Sequence, residues 1–382
     1  MESLQFRREI RRISTLVVKV GSRILTSGDN IPNTVRIRGL VNAIARLQQS
    51  GVRTVLVSSG AIAQGMRVLR LERRPKSIPM KQACASIGQI RLMHLYETFF
   101  SRHGIPIGQV LLTWDDLRNK KRYLNLRNTF SQLFDYHAIP IINENDSVGV
   151  EEIRFGENDT LGAQIAMLVQ ADVFVNLTDI NGLYDNNPKF DKNAHHIPVV
   201  DALSPSVFKY ATGSSSEISV GGMVTKLKAA DIVTKAGICA IIGDGFNRGL
   251  LDVLKDPHAG TIFLPTPKIM PSKRRWIAFT GESAGSVFVD EGAKAAIVEK
   301  GKSLLPAGIK KVAGSFTQGA MVDVRSEGSN KIIARGLCNY ASEEVEKIMG
   351  CKTAEIPQRL GHTQKAFDEV IHRDNMVVIE QK

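Results

Sequence analysis

Short apolar stretches alternate regularly with longer amphipathic ones along the first two thirds of the sequence. Residues 16–18 are apolar and residues 52–57 are mostly so, which is typical of strands buried on both faces of a parallel sheet. Between them, apolar residues recur at helical spacing from Asn33 to about Ser50. The alternation continues through further predicted strands at 107–112, 139–142, 173–177 and 238–242, and helices at 80–102, 125–137, 159–170 and 225–236. This pattern predicts an α/β domain with an open, mainly parallel sheet sandwiched by helices.

The alternation stops near residue 265. Three prolines fall within residues 265–271 and indicate an extended linker. Beyond it, short alternating segments are separated by glycine-containing turns, as in a small β-barrel; they lie at 286–289, 310–312, 320–324 and 332–334. We therefore predict a first domain at 1–264, a linker at 265–275 and a β-barrel domain with a C-terminal tail at 276–382.

Composition excludes several classes of protein. A chain of 382 residues with 43% hydrophobic and 23% charged residues is long enough for two folded domains and is not a disordered chain. No apolar run is long enough to cross a bilayer and no signal peptide is evident, so a cytosolic protein is expected. The four cysteines form no CxxC pair and are expected to be buried thiols. The net charge of +12 invites a polyanion partner, although most of the excess falls in short basic runs typical of solvated helix faces.

Polar clusters follow three of the predicted strands. Lys19 comes at the end of the first strand and is followed by Gly21, which allows the backbone to approach a phosphate closely. After the second strand, residues 58–61 offer hydroxyl and backbone N–H groups for an anion. Four consecutive amide and carboxylate side chains at 143–146 follow another strand and can hold an ammonium group and a carboxylate. Open α/β sheets bind ligands at this edge, so these clusters are expected to form one site.

Later in the chain, three further features fit the same edge. Thr178 and Asp179 follow a buried strand, and the pair Gly221-Gly222 leads into a helix with Lys226 in its first turn. Such a turn can present backbone donors and one positive charge to a polyphosphate, although its spacing is not that of a P-loop. Residues 155–159 open a helix, where an acid can also serve simply as an N-cap. Lys19 and Lys226 are predicted to flank a transferring phosphoryl group.

The successive motifs resemble those of the amino-acid kinase family and, within it, the glutamate 5-kinases. The matching motifs are LVVKVGS, VSSGAIAQG, PIINEND, FGEND, NLTDINGLYDNNP and GGMVTKLKAA, in the family's order over residues 14 to 264. Residues 276 to about 350 resemble the PUA domain that many of these enzymes carry, through VDEGAKAAI, SLLPAGI, VAGSF and IARGLCNY. The resemblance therefore implies an amino-acid kinase fold followed by a PUA domain.

The resemblance also implies an activity and a set of site residues. The activity is ATP-dependent phosphorylation of the side-chain carboxylate of L-glutamate, with Mg²⁺ accompanying ATP, to give L-glutamyl 5-phosphate for proline biosynthesis. The implied catalytic residues are Lys19, Lys226 and Asp159, and the implied glutamate-binding residues are Ser59, Asn143, Asp146 and Asn158. The implied nucleotide-binding residues are Lys19, Thr178, Asp179, Val220, Gly221, Gly222, Met223, Val224, Thr225 and Lys226. No residue is implied to hold a metal.

Further expectations concern partners and regulation. The resemblance implies a homo-oligomer, either a dimer or a tetramer, that is inhibited by proline. Because an acyl phosphate hydrolyses readily, contact with the glutamyl phosphate reductase that consumes it is a reasonable hypothesis. The small polar loop at 212–217 is equally compatible with a mobile lid and a plain connection.

Two alternatives remain open on the residues alone. One is a related kinase acting on aspartate, acetylglutamate, carbamate or UMP, since glutamate and aspartate differ by one methylene group and spacing cannot distinguish them. The other is an RNA-binding or RNA-modifying protein, suggested by the PUA-like domain and the basic pI of about 9.5. Only +3 of the net charge lies in residues 273–382, and no aromatic cluster is evident there for base stacking.

Overall fold

The computed structural model describes residues 13–27, 31–149, 158–188, 191–212, 222–266, 277, 283–361 and 367–379. The chain divides into two compact units near residue 269. The predicted linker at 265–275 falls almost entirely outside the described residues. None of the helices in the described ranges combines the length and apolar character needed to cross a membrane.

The first unit is built on an eight-stranded sheet with the order β3-β4-β2-β1-β5-β9-β10-β8. Its strands are β1 Thr15–Val20, β2 Arg53–Val57, β3 Ile107–Leu112, β4 Ile139–Glu144, β5 Val173–Thr178, β8 Val199–Val200, β9 Cys239–Asp244 and β10 Thr261–Phe263, while β6 Leu183–Tyr184 and β7 His196–Ile197 form a separate hairpin. All pairings in the large sheet are parallel except that of β9 with β10. The predicted open, mainly parallel sheet is confirmed.

Ten helices are described in this unit. They are α1 Ser22–Leu25, α2 Thr34–Gln49, α3 Ala61–Val68, α4 Ile78–Phe100, α5 Trp114–Arg118, α6 Lys120–Asp135, α7 Asn158–Leu168, α8 Pro205–Thr212, α9 Met223–Lys235 and α10 Leu250–Lys255. One set, α2, α4 and α10, packs around β2 and β9, while α7 and α9 pack against each other and against β1, β5 and β9. The sequence patterns gave no bounds for α1, α3, α5, α8 and α10, which are four to eight residues long and too short to display a clear helical period.

Two glycines allow α3 and α4 to lie almost in backbone contact. A Cβ atom on Gly65 would lie 1.8 Å from the carbonyl oxygen of Cys84, and one on Gly88 would lie 1.8 Å from that of Ala61. Neither position leaves room for a methyl group, because both obstacles are backbone atoms. This close crossing fixes α4 beside the loop that leaves β2 at Ser58 and Ser59.

Gly88→Ala should therefore lower the free energy of unfolding by about 1–3 kcal/mol, since overpacking forces the two helices apart. Gly39→Ala in α2 is the matched control, because nothing lies within 4 Å of a Cβ atom at that position. That substitution should raise the free energy of unfolding by roughly 0.5–1 kcal/mol through helix propensity alone. Urea denaturation of both variants measures the difference. Equal effects at the two positions would show that the crossing is looser than the structure indicates.

The second unit contains a five-stranded sheet with the order β12-β11-β13-β14-β15. Its strands are β11 Gly285–Val289, β12 Ile309–Ala313, β13 Met321–Ser326, β14 Ile332–Leu337 and β15 Met376–Val378, and its helices are α11 Glu291–Val298, α12 Ser342–Ile348 and α13 Ile356–Leu360. The four strands predicted here are found within three residues of their expected bounds. Strands β11 and β13 pair in parallel and the other pairs are antiparallel. Side chains from strands and helices share one apolar core, which contains Cys338 and Cys351; all four cysteines of the chain are buried and free, as expected.

Candidate active site

Most of the polar side chains singled out in the sequence lie at one edge of the first sheet, where its parallel strands end. Lys19 is the penultimate residue of β1, Ser59 follows β2, Asn143 lies near the end of β4 and Thr178 ends β5. Strand β1 lies between β2 and β5 in the sheet. The chain continues from β1 to β2 on one side and forms β5 on the other side only later, so the direction of the connections reverses at β1. Open α/β sheets bind ligands at such a position.

The centre of this edge is the carboxylate of Asp159, at the start of α7. Its Oδ1 atom lies 2.5 Å from Lys19 Nζ and accepts a hydrogen bond of 3.0 Å from Asn176 Nδ2. Its Oδ2 atom accepts from Thr225 Oγ1 at 2.7 Å and from Lys226 Nζ at 3.2 Å. Each carboxylate oxygen therefore receives one ammonium group and one neutral donor. Asp159 thus holds two lysines that are 207 residues apart in sequence.

Close packing of α7 on the sheet places Asp159 over β1. Gly162 lies one turn after Asp159, and a Cβ atom there would lie 2.8 Å from the Phe174 ring and 3.2 Å from Lys19 Cβ. Only glycine allows α7 to approach β1 and β5 this closely. Lys226 reaches Asp159 from a different helix, α9, which begins at Met223 with Gly222 as its N-cap and packs on α7.

The three charged side chains at the centre are deeply buried and carry an excess of positive charge. Lys19, Asp159 and Lys226 are 5%, 3% and 7% exposed, and their charges sum to +1. Burial alone would raise the pKa of Asp159, but the charges of the two lysines and the hydrogen bonds from Lys19 and Thr225 outweigh burial and hold that pKa well below its usual range. Burial is the main influence on Lys226 and lowers the pKa of its ammonium group, an effect that Asp159 opposes. The centre is therefore suited to an additional anion.

Beside this centre lies a network of neutral amides. Asn158 Nδ2 donates to the Ser58 carbonyl oxygen and to Ser59 Oγ, both at 2.9 Å, and contacts Asn143 Oδ1 at 3.3 Å. Asn143 in turn donates from Nδ2 to Gln89 Oε1 at 3.0 Å. Three of the four residues implied to bind glutamate are thus joined by hydrogen bonds. The fourth, Asp146, is half-buried in the turn that follows β4.

The segments implied to bind nucleotide are only partly described. Thr178 and Asp179 lie at the end of β5, where Asp179 Oδ2 accepts from Arg23 Nη1 at 2.8 Å. Val220 and Gly221 lie outside the described residues, as does most of the 212–217 loop. Gly222, Met223 and Val224 form the start of α9, and Thr225 donates its hydroxyl hydrogen toward Asp159 and the Gly222 carbonyl oxygen.

Sequence reasoning missed three residues of this region. Asn176 supports Asp159 and was detectable, because it is a polar residue within the otherwise apolar strand β5. Gln89 contacts Asn143 from the middle of α4, where nothing in the local sequence distinguishes it from a surface residue. Arg23 is in the short helix α1, and only the folded chain brings it to Asp179.

Comparison with known proteins identifies the family of each part of the chain. The model of the Amino acid kinase family matches residues 14–244. The chain belongs to this family. The PUA domain model matches residues 285–360, so the resemblance predicted from the motifs is confirmed in both parts of the chain.

Curated relatives of this amino acid kinase extend over nearly its whole length. The glutamate 5-kinase of Thermoanaerobacter sp. (strain X514) is 47% identical over 367 residues, which cover 96% of this chain and 98% of the relative. The glutamate 5-kinase of Syntrophus aciditrophicus (strain SB) is 45% identical and covers 97% of this chain and 96% of its own. The glutamate 5-kinase of Moorella thermoacetica is 43% identical, and the match covers 99% of this chain and 100% of the relative. The expectation of a kinase is thereby confirmed.

Proposed function

We propose that the chain transfers the γ-phosphoryl group of ATP to the side-chain carboxylate of L-glutamate, forming L-glutamyl 5-phosphate and ADP, the first step of proline biosynthesis. The observation that carries this proposal is the buried centre of charge +1, in which Asp159 holds Lys19 and Lys226. A fixed, buried excess of positive charge stabilises the negative charge spread over a transferring phosphoryl group. The relatives named glutamate 5-kinase support the choice of substrate.

The reaction requires positioning and charge stabilisation from the protein. A side-chain carboxylate with an ordinary pKa near 4.3 is already ionised at pH 7, so its oxygen attacks phosphorus without a general base. As the new oxygen–phosphorus bond forms, the bond to the bridging oxygen breaks and its electrons leave with ADP. Lys19 and Lys226 approach the phosphoryl group from different elements, and Asp159 fixes both ammonium groups. Asp159 has this orienting role because both of its oxygens are occupied by donors.

The amide network is proposed to bind glutamate. Ser59, Asn143 and Asn158 present hydroxyl and amide groups that suit the ammonium and carboxylate groups of an amino acid, and Asn158 immediately precedes Asp159. This adjacency brings the bound substrate to the phosphoryl-transfer centre. Asp146 adds a carboxylate in the turn after β4, which suits the substrate ammonium group.

Mg²⁺ is proposed only as the ion that accompanies ATP. Each oxygen of Asp159 already accepts from two donors, which leaves it poorly suited to bind a metal. In the described part of the chain, no group of three His, Cys, Asp or Glu side chains could hold a metal ion. The described residues do not fit a metal held by the protein itself, and no step of the mechanism above depends on one.

The test is ADP release by the purified protein with Mg-ATP and, separately, L-glutamate, L-aspartate, N-acetylglutamate or UMP, with hydroxylamine present to trap an acyl phosphate. We expect hydroxamate with glutamate and at least ~100-fold less with aspartate, a difference of about 2.7 kcal/mol in transition-state binding. Activity confined to another acceptor would contradict the substrate assignment while leaving the kinase intact.

Other expectations stay predictions. They are a cytoplasmic location, assembly into a dimer or tetramer, inhibition by proline and contact with glutamyl phosphate reductase. The RNA-binding alternative is not favoured, because relatives that match 96–99% of this chain, second unit included, are named as kinases.

A further inference from the structure

Hydrogen-bond direction fixes the orientation of two buried amides beside the centre. The backbone N–H of Glu144 can only donate, and it points to Asn143 Oδ1 at 3.0 Å. Asn143 must therefore use its Nδ2 atom for the contact with Gln89, in which the acceptor is Gln89 Oε1. Rotating either amide by 180° would place two donors against each other. The orientation of Gln89 is thus determined by the backbone N–H of Glu144, through two successive hydrogen bonds.

This orientation leaves a donor without an acceptor. Gln89 Nε2 is buried and has no hydrogen-bond partner among the residues that the structure describes. The side chain as a whole is only 8% exposed. Buried donors are almost always paired, because burying one without an acceptor loses its bonds to water. A donor held in this way calls for an acceptor that arrives from elsewhere.

We propose that Gln89 binds the substrate, by donating from Nε2 to the carboxylate of glutamate that is not phosphorylated. This inference rests on the proposed function. Gln89 is bonded to Asn143, and Asn143 to Asn158, so it belongs to the network assigned to glutamate. The lysines of the centre serve the reacting carboxylate, and Gln89 is separated from them by these two amides. A neutral amide donor suits the remaining carboxylate, and substrate binding would give Gln89 Nε2 the acceptor that it lacks.

The arrangement has a further consequence for specificity. The bonds from Glu144 N to Asn143 and from Asn143 to Gln89 pre-orient the donor, and the groups that cover Nε2 must give way when a substrate oxygen reaches it. The close crossing of α3 and α4 at Gly88 fixes the backbone next to Gln89. A ligand that lacks the second carboxylate leaves the donor unpaired and is bound less well.

Gln89→Glu tests the inference, because it keeps the shape of the side chain and the acceptor for Asn143 but replaces the donor by a carboxylate oxygen. We expect KM for glutamate to rise at least ~10-fold, with KM for ATP changed less than about two-fold. Gln48→Glu is the matched control: Gln48 Nε2 donates to the His137 carbonyl oxygen at 2.7 Å, away from the centre, and its loss should leave both KM values unchanged. If the Gln89→Glu protein does not fold, Gln89→Met removes the donor without adding charge.

Binding measured without turnover separates this inference from the proposed function. Thermal unfolding with increasing L-glutamate reports affinity in the absence of ATP. If the wild-type protein binds and phosphorylates glutamate but Gln89→Glu and Gln89→Met bind it as tightly, the inference is wrong and a buried water satisfies Nε2 instead. If the wild-type protein neither binds nor phosphorylates glutamate, the proposed function fails and the inference fails with it. Weaker glutamate binding by either variant, with ATP affinity kept, supports the inference.

Discussion

Replacing Lys226 with methionine should lower kcat by about a thousand-fold while the protein stays folded. Lys226 Nζ lies 3.2 Å from Asp159 Oδ2, and its removal leaves Lys19 and Asp159 as a neutral pair. A neutral centre no longer stabilises the negative charge of the transferring phosphoryl group. Folding should be kept because Asp159 retains its bonds from Lys19, Asn176 and Thr225, and because burial already disfavours the charge of Lys226.

The measurement is steady-state turnover at saturating ATP and glutamate, with thermal unfolding to verify the fold. Lys228→Met is the matched control, since Lys228 lies two residues further along α9 and is exposed. Its loss should change kcat less than about two-fold. A Lys226→Met enzyme within ten-fold of the wild-type kcat would refute the catalytic role of Lys226.

Replacing Asp159 with asparagine should affect both stability and activity. The asparagine side chain carries no charge, and its NH₂ group would face one of the donors that bond to the carboxylate in the wild-type protein. Lys19 and Lys226 would then be two buried cations without a counter-charge. Removing one partner from a buried ion pair typically costs about 3–5 kcal/mol, and we expect the free energy of unfolding to fall by that amount. We also expect kcat to fall by at least ~100-fold, because neither ammonium group keeps its position.

Urea denaturation measures the stability loss of Asp159→Asn, and Asp231→Asn is the matched control. Asp231 lies 2.7 Å from Lys235 in a partly exposed pair one turn apart, whose loss should cost only about 0.3–0.5 kcal/mol. Inorganic phosphate should stabilise Asp159→Asn more than it stabilises the wild type, because the anion supplies the missing negative charge. A loss below about 1 kcal/mol for Asp159→Asn would contradict the burial of a charged triad.

The same carboxylate sets the acid dependence of stability. Its pKa in the folded protein is below the ordinary value of about 3.9 that applies to the unfolded chain. The folded state therefore favours the ionised form, and the stabilisation from Asp159 is complete above pH ~4 and is lost as pH falls below that value. Below pH ~4 the wild type should lose stability more steeply than Asp159→Asn. Equal slopes would show that Asp159 titrates normally.

Most of the first unit could be predicted from the sequence, because its longer elements carry strong periodic signals. The strand at 139–144 and the helix at 34–49 were found within two residues of their predicted bounds. No bounds were predicted for the helix at 61–68, because the residues around Gly60 have the composition of a turn, and Gly60 indeed has a φ of 100°. It is packing against α4 through Gly65 and Gly88 that makes this short segment helical.

Which strand-end side chains would meet could be predicted from the sequence. Lys19, Asn143 and Thr178 come at the ends of strands, and the carboxyl ends of parallel strands share one edge of a sheet. How they meet follows from the folded chain: Asp159 binds one lysine with each oxygen, and Gln89 is held by Asn143 with its donor unpaired. The physical reason is range. Strand and helix periods depend on neighbouring residues, whereas distances of about 3 Å between side chains depend on how helices far apart in sequence pack on the sheet, as α7 does at Gly162.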